Sequence, residues 1–400
     1  MDSLMDPRVL AIAIISGLIG WGTNAVAVRM LFHPLKRVGW RRLSWQGILP
    51  ANAERMATIC VRLMTSRLLD MQALFERIQP ARVSALLSPT LEKHAEEIVE
   101  KVLARRFPKL WEALPERVRT KAREGLRAEV PTVVSKLMTD LREDLGRYID
   151  IEALVVQSFV GNRALLNELF WNCGRKEFLF IARSGLLFGG LFGMVQAAVW
   201  LLVQPDWFLP VTGLLVGWAT NWLALKMIFE PLEPRKWGPI RWQGLFLRRQ
   251  NEVSSAYASF FAENILTADA LVQAVVRGPA ADRVVELLQR YVSQAVDHAS
   301  GAARPLVQLS VGTDEWLALK GEVSEQLADL VPRELDRVHD YAEEALDLET
   351  ELRENLRSLP PAEFEQVLRP IFRMDEDTLI AVGAALGGVA GVLQWVLMTL

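Results

Sequence analysis

Four long apolar runs alternate with two long charged regions along this chain. The runs are Val9–Phe32, Phe178–Val203, Trp207–Phe229 and Thr378–Leu400. Each supplies the roughly 20 mostly apolar residues that a helix needs to cross a bilayer. The first does not read as a cleavable signal, because its start is acidic apart from Arg8 and its apolar run is too long. The charged regions, 51–176 and 248–376, have a different period. Leu91, Ala95, Ile98 and Val102 recur at helical spacing among Glu92, Lys93, Glu96, Glu97 and Lys101, and Val284, Leu288, Tyr291 and Ala295 form a comparable stripe. Such stripes predict amphipathic helices in a bundle, or a groove for lipid chains or a partner helix. Ser88-Pro89 reads as an N-cap followed by a first-turn proline. Pro80, Pro108, Pro115, Pro131, Pro305, Pro332 and Pro360-Pro361 predict breaks between helices of ordinary length. The expected class is all-α: a polytopic membrane protein with four transmembrane helices and long helical cytoplasmic regions.

The pattern occurs twice. Gly20-Trp21-Gly22-Thr23-Asn24 returns as Gly217-Trp218-Ala219-Thr220-Asn221, and Trp45-Gln46-Gly47 returns in the same register as Trp242-Gln243-Gly244. Asp150-Ile151-Glu152 matches Asp347-Leu348-Glu349. Gly185, Gly189, Gly190, Gly193 and Gln196 match Gly383, Gly387, Gly388, Gly391 and Gln394, now shifted by one residue. The period is far longer than a solenoid's, so it reads as a duplicated unit. Unit 1–203 contains a span at 9–32, an interfacial loop at 33–50, a helical region at 51–176 and a span at 178–203. Unit 204–400 repeats this with 207–229, 230–247, 248–376 and 378–400. Each unit crosses twice, so the copies share one orientation, the parallel-repeat arrangement.

Charge sets the expected orientation. Lys36, Arg37, Arg41, Arg42, Arg175, Lys176, Arg235, Lys236, Arg241, Arg248 and Arg249 crowd one side of the spans, while the other has Asp2, Asp6, Arg8 and Asp206. The positive-inside rule puts the helical regions in the cytoplasm of a bacterial inner membrane and the termini outside.

The polar residues within the apolar runs are the candidate sites. Thr23, Asn24, Thr220 and Asn221 are interhelical hydrogen-bonding groups, or a substrate or ion site where the repeats meet. Gln196 and Gln394 either bond across the closing helices or line a polar path. Gly185, Gly189, Gly193, Gly383, Gly387 and Gly391 suit close helix packing. Arg29 and Lys226, near the ends of the opening spans, can snorkel to headgroups. With Arg41, Arg42, Trp45, Arg241 and Trp242 they make a basic, tryptophan-bearing band that attracts anionic phospholipid.

Composition narrows the function classes. The net charge is −3, so nucleic acid is not an expected partner. Cys60 and Cys173 match no metal or redox spacing and read as unpaired thiols of a reducing compartment. His33, His94, His298 and His339 are scattered, and no phosphate loop or nucleophile elbow is present. Glu177 and Asp375 precede the closing spans as proton carriers or as helix-start carboxylates. No catalytic residue, cofactor or metal is expected, and self-association or a protein partner through the cytoplasmic helices is.

The combined G-W-x-T-N, W-Q-G and glycine-rich elements resemble the bacterial integral membrane family of YjiN- and YheB-like proteins, a domain of unknown function. The resemblance extends over essentially the whole chain, with Leu247 standing where the family pattern and Pro50 favour proline. It implies a cytoplasmic-membrane location and little about activity. The expected role is a non-enzymatic protein that organises, or exchanges lipid with, the cytoplasmic leaflet; the alternative is a transporter or channel with its site between the repeats.

Overall fold

Long apolar runs satisfy their backbone groups internally only as helices, and helices dominate the chain. A computed structural model describes residues 7–39, 44–113, 115–202, 207–237, 240–300 and 312–399. Arg41 and Arg42 lie outside the described residues, as does the side chain of Arg241. Four helices are long and apolar enough to cross a membrane. Joining Leu247–Asn264 to Ala268–Arg277 would make a fifth span, but Arg248, Arg249, Glu252 and Glu263 make that costly in hydrocarbon. The protein is an all-α polytopic membrane protein.

The chain divides into two compact units, and each takes segments from both sequence copies. The first comprises Met1–Leu68, Val155–Phe260 and Glu349–Leu400. Here the opening helix Pro7–Phe32 runs antiparallel along the closing helix Arg163–Leu202, and Phe208–Phe229 runs the same way along Pro361–Thr399. Each opening helix also touches the other copy's closing helix, and the two opening helices touch each other.

The closing helices differ from expectation at their start. They were expected to begin at 178 and 378, yet the helices begin at Arg163 and Pro361 and run for 40 and 39 residues. Charged residues such as Arg175, Lys176 and Glu177 end the apolar run without ending the helix, because Arg, Lys and Glu are good helix formers. Hydropathy located the edge of the apolar run, not the edge of the helix.

The segments after the opening helices turn back tightly. Val38 and Trp45 form an antiparallel bridge with N···O distances of 2.8 and 2.7 Å. In the second copy, Arg235–Trp237 and Ile240–Trp242 pair as a short antiparallel hairpin. The peptide bonds His33-Pro34 and Glu230-Pro231 are both cis.

The second unit comprises Leu69–Leu154 and Phe261–Leu348. Its frame is a four-helix arrangement of Pro80–Arg106, Glu116–Glu143, Ala281–Ser300 and Thr313–Ala328. Ala95, Val102, Leu137, Leu288, Val292 and Trp316 fill its core. The two stripes read from the sequence face inward, with Ile98 and Tyr291 at the edge of that core.

Two proline readings need correction. The first long helix starts at Pro80 with Gln79 as its N-cap residue, so Ser88-Pro89 lies inside it. Pro131 likewise lies inside Glu116–Glu143. An interior proline forfeits one backbone bond, but amphipathic burial on both sides holds these helices together across it. Ser84 Oγ donates to the Pro131 carbonyl at 3.1 Å and so links the two proline-bearing helices.

Candidate functional site

The repeated asparagines sit at close helix crossings. Asn24 Nδ2 donates to the Ile181 carbonyl at 2.9 Å, and Asn221 Nδ2 donates to Leu379 at 2.7 Å. Both side chains are shut away, 0% and 2% exposed. Their neighbours explain the glycines. A Cβ on Gly185 would come within 2.8 Å of the Asn24 amide nitrogen, and one on Gly383 would collide with the Asn221 amide. Glycine on the closing helix therefore makes room for the amide of the opening helix. The T-N and glycine-rich motifs, read separately from sequence, are two halves of one contact.

Each asparagine thus directs an amide N–H to its own helix pair rather than across to the other copy. Oδ1 of both residues is buried and accepts no hydrogen bond among the described residues. Thr23 and Thr220 donate to Gly20 and Gly217 of their own helices. Further along the same contacts, a Cβ on Gly189 would lie 2.7 Å from the Ser16 carbonyl, and one on Gly193 2.6 Å from Ser16 Cβ. Gly387 and Gly391 sit equally close to the backbones of Gly213 and Leu209.

Gln196 joins three helices. Its Nε2 donates to Thr212 Oγ1 at 2.7 Å, and its Oε1 accepts from Ser16 Oγ at 3.3 Å. Gln394 is buried, with Nε2 unbonded among the described residues. Sequence reasoning passed over Ser16 and Thr212, although a hydroxyl within an apolar run was the available signal.

The basic band lies at the other end of the opening helices. Gln46 Nε2 donates to the Leu35 carbonyl at 2.8 Å, and Gln243 Nε2 to Leu232 at 2.9 Å. The Gly47 and Gly244 amides donate to Pro34 and Pro231. A Cβ on Gly47 would lie 2.8 Å from His33 N. These contacts pin each returning segment against the end of its own opening helix. They leave Trp45 and Trp242 39% and 40% exposed, with Lys36, Arg37, Arg235 and Lys236 exposed nearby in sequence. Arg29 and Lys226 are exposed near the ends of the opening helices. Lys226 Nζ lies 4.8 Å from the Trp222 ring centroid and 3.8 Å from the Glu230 carboxylate.

Neither Glu177 nor Asp375 stands at a helix start, Asp375 lying inside the helix Pro361–Thr399. Glu177 lies well inside the helix Arg163–Leu202, so a helix-start role does not hold for it. It is 2% exposed and bound by Arg249, whose Nη1 lies 2.6 Å from both carboxylate oxygens. Arg249 also holds Glu252 at 2.8 Å, and Lys176 reaches Glu252 at 2.7 Å. Hydrogen bonds from Arg249, then from Lys176, hold the Glu252 carboxyl down at about 2. No sequence spacing announces the Glu177–Arg249 pair, because it joins segments far apart in the chain. Cys60 and Cys173 are both buried, and burial pushes the Cys60 thiol up to about 12.

The comparisons with known proteins agree with this picture of a membrane protein. Residues 14–137 match the family described as "Protein of unknown function (DUF445)". A UPF0754 membrane protein of Shouchella clausii is 28% identical over 169 residues, covering 37% of this chain and 43% of that protein. One from Cyanothece is 34% identical over 157 residues, 34% of this chain and 39% of that protein. A UPF0754 protein of Alkalihalophilus pseudofirmus is 20% identical over 390 residues, 96% of each chain. The matches to the first relatives thus span less than half of their length, whereas weaker similarity extends end to end. No solved structure matches this chain. The chain is similar to membrane proteins of an uncharacterised family.

Proposed function

We propose that the protein is a non-enzymatic organiser of the cytoplasmic leaflet, bound to anionic phospholipid through its basic, tryptophan-bearing segments. The observation that carries this is the pinned turn after each opening helix. Gln46 and Gln243 fix the turns, while Trp45 and Trp242 remain exposed amid cations. Amphipathic indoles favour the headgroup level, and basic residues there attract anionic lipid by about 1 kcal/mol each. The orientation rests on the excess of Lys and Arg on that side of the spans.

Lipid exchange through the helical unit has less support. The cavity between its helices, lined by Leu91, Ala95, Val130 and Val292 among others, measures about 40 Å³. A cavity known to hold benzene measures roughly 150 Å³, so this one lends an acyl chain no support. A transport site shared by the repeats has less support as well, because one N–H of each asparagine amide is engaged within its own helix pair.

The test is lipid retention. Protein reconstituted with phosphatidylglycerol and phosphatidylcholine in equal parts is extracted mildly, and its bound lipids are counted by native mass spectrometry. Enrichment of phosphatidylglycerol, reduced when Lys36, Arg37, Arg235 and Lys236 are all changed to Gln, is the expected result. Equal retention of both lipids by the unaltered protein would remove the proposal.

A further inference from the structure

The two basic segments, alike in outline, differ in their charge balance. Residues 29–47 contain five cations, Arg29, Lys36, Arg37, Arg41 and Arg42, and no carboxylate. The corresponding stretch 226–244 contains four cations, Lys226, Arg235, Lys236 and Arg241, and two carboxylates, Glu230 and Glu233. The geometry turns this difference into a difference of availability. Lys226 is already engaged, with the Trp222 ring on one side and the Glu230 carboxylate on the other. Its counterpart Arg29 has Ala25 and His33 at the matching positions, and no ion-pair partner among the described residues.

The surroundings of the helix ends differ in the same sense. In the first copy the Phe32 carbonyl is capped by Asn167 Nδ2 at 2.6 Å, and the Phe32 ring meets Trp171 edge-on at 5.4 Å. Both partners are uncharged. In the second copy the Phe229 ring carries the Arg369 guanidinium at 5.6 Å, and Arg369 pairs with Glu365. In the second copy Lys226 and Arg369 are thus each paired with a carboxylate, whereas Arg29 has no such partner among the described residues.

We infer that the discrete headgroup site within this basic band is the first copy's alone, built on Arg29 with Lys36 and Arg37, that its ligand is the phosphodiester of an anionic phospholipid, and that Arg235 and Lys236 of the second copy add only diffuse attraction to the leaflet. The second copy's equivalent is occupied by its own side chains. Arginine suits this role because its planar fork of donors meets phosphate oxygens bidentately. A headgroup competing for Lys226 must first displace Glu230 and lose the contact with Trp222. One headgroup site per chain follows, despite two copies of the motif. This inference deepens the lipid-binding reading above and stands on it.

The experiment compares single variants of the full chain in nanodiscs containing phosphatidylglycerol, with bound lipid counted by native mass spectrometry. Arg29→Gln is expected to lower retained phosphatidylglycerol several-fold, and Lys226→Gln to leave it unchanged. Glu230→His, which gives the second copy the first copy's residue, is expected to add a second retained lipid. Equal losses from Arg29→Gln and Lys226→Gln, or no gain from Glu230→His, would overturn the asymmetry while leaving the lipid-binding reading intact. Absence of phosphatidylglycerol enrichment in the unaltered protein would overturn both. A parallel arm adds excess inorganic phosphate. Retention unaffected by it supports a lipid ligand, and full displacement by free phosphate would overturn that assignment.

Discussion

At the scale of single residues, the strongest constraint is the distance between helix backbones at the repeated glycines. A Cβ on Gly20 would collide with the Gly185 carbonyl, whereas one on Gly22 would meet nothing within 4 Å. The two glycines are two residues apart on one helix, so they make a controlled pair. Gly20→Ala should destabilise the protein by roughly 1–3 kcal/mol, the usual range for overpacking. Gly22→Ala should be neutral or slightly stabilising, since alanine is the better helix former. Asn24→Ala removes one interhelical hydrogen bond and should cost about 0.6–2 kcal/mol. Unfolding in detergent, followed by circular dichroism, measures all three; equal effects of Gly20→Ala and Gly22→Ala would contradict the packing described. Sequence showed that glycine and asparagine mattered, because both recur in the two copies. It did not show that Gly185 exists to admit Asn24, since the two stand 161 positions apart.

At the scale of elements, the sequence was most informative where burial sets the period and least where it does not. The stripe at Leu91, Ala95, Ile98 and Val102 faces the core because only one side of that helix meets other helices. The helix beginnings were misplaced because propensity and hydropathy report different things: Ser88-Pro89 has cap chemistry but lies in a turn already fixed by packing, and Glu177 lies beyond the apolar run but within the helix. The same closing helix supplies a test. Glu177 is buried against Arg249, so Glu177→Gln leaves a guanidinium with reduced compensation. It should destabilise by up to about 3 kcal/mol, the lower end for breaking a buried pair, because Arg249 is partly open to water. Glu252→Gln, at a half-exposed site, should cost about 0–1 kcal/mol at neutral pH. Glu252 also has a pH signature. Its folded pKa is depressed from 4.5 to about 2, so its contribution is present above pH 4.5 and disappears as the pH falls toward 2. The difference in melting temperature between the unaltered protein and Glu252→Gln should therefore shrink across that window. A constant difference would show that the Arg249–Glu252 contact is not what the substitution removes.

At the scale of the whole molecule, each of the two compact units draws segments from both halves of the sequence. Each copy contributes one opening and one closing helix to the membrane unit, and two long helices to the bundle of the other unit. A reader of the sequence sees tandem copies; the chain instead sorts equivalent pieces of both copies together, because apolar helices and amphipathic helices each bury their faces best against their own kind. The proposed orientation rests on charge alone, and the buried cysteines make it measurable. Cys60 and Cys173 are both inside the protein, and the Cys60 thiol is held in its protonated, unreactive form by burial. New cysteines can therefore be placed on the natural background. Lys101→Cys lies on an exposed position of a bundle helix, and Trp207→Cys on an exposed position at the start of the second opening helix. A membrane-impermeant maleimide should label Lys101→Cys only in inverted vesicles and Trp207→Cys only in intact cells. Both charged regions leave the spans on the side where Lys and Arg accumulate, and the positive-inside rule weights those juxtamembrane cations most heavily. Labelling of Lys101→Cys from outside would reverse the orientation, and with it the leaflet to which Arg29 and Trp45 are assigned.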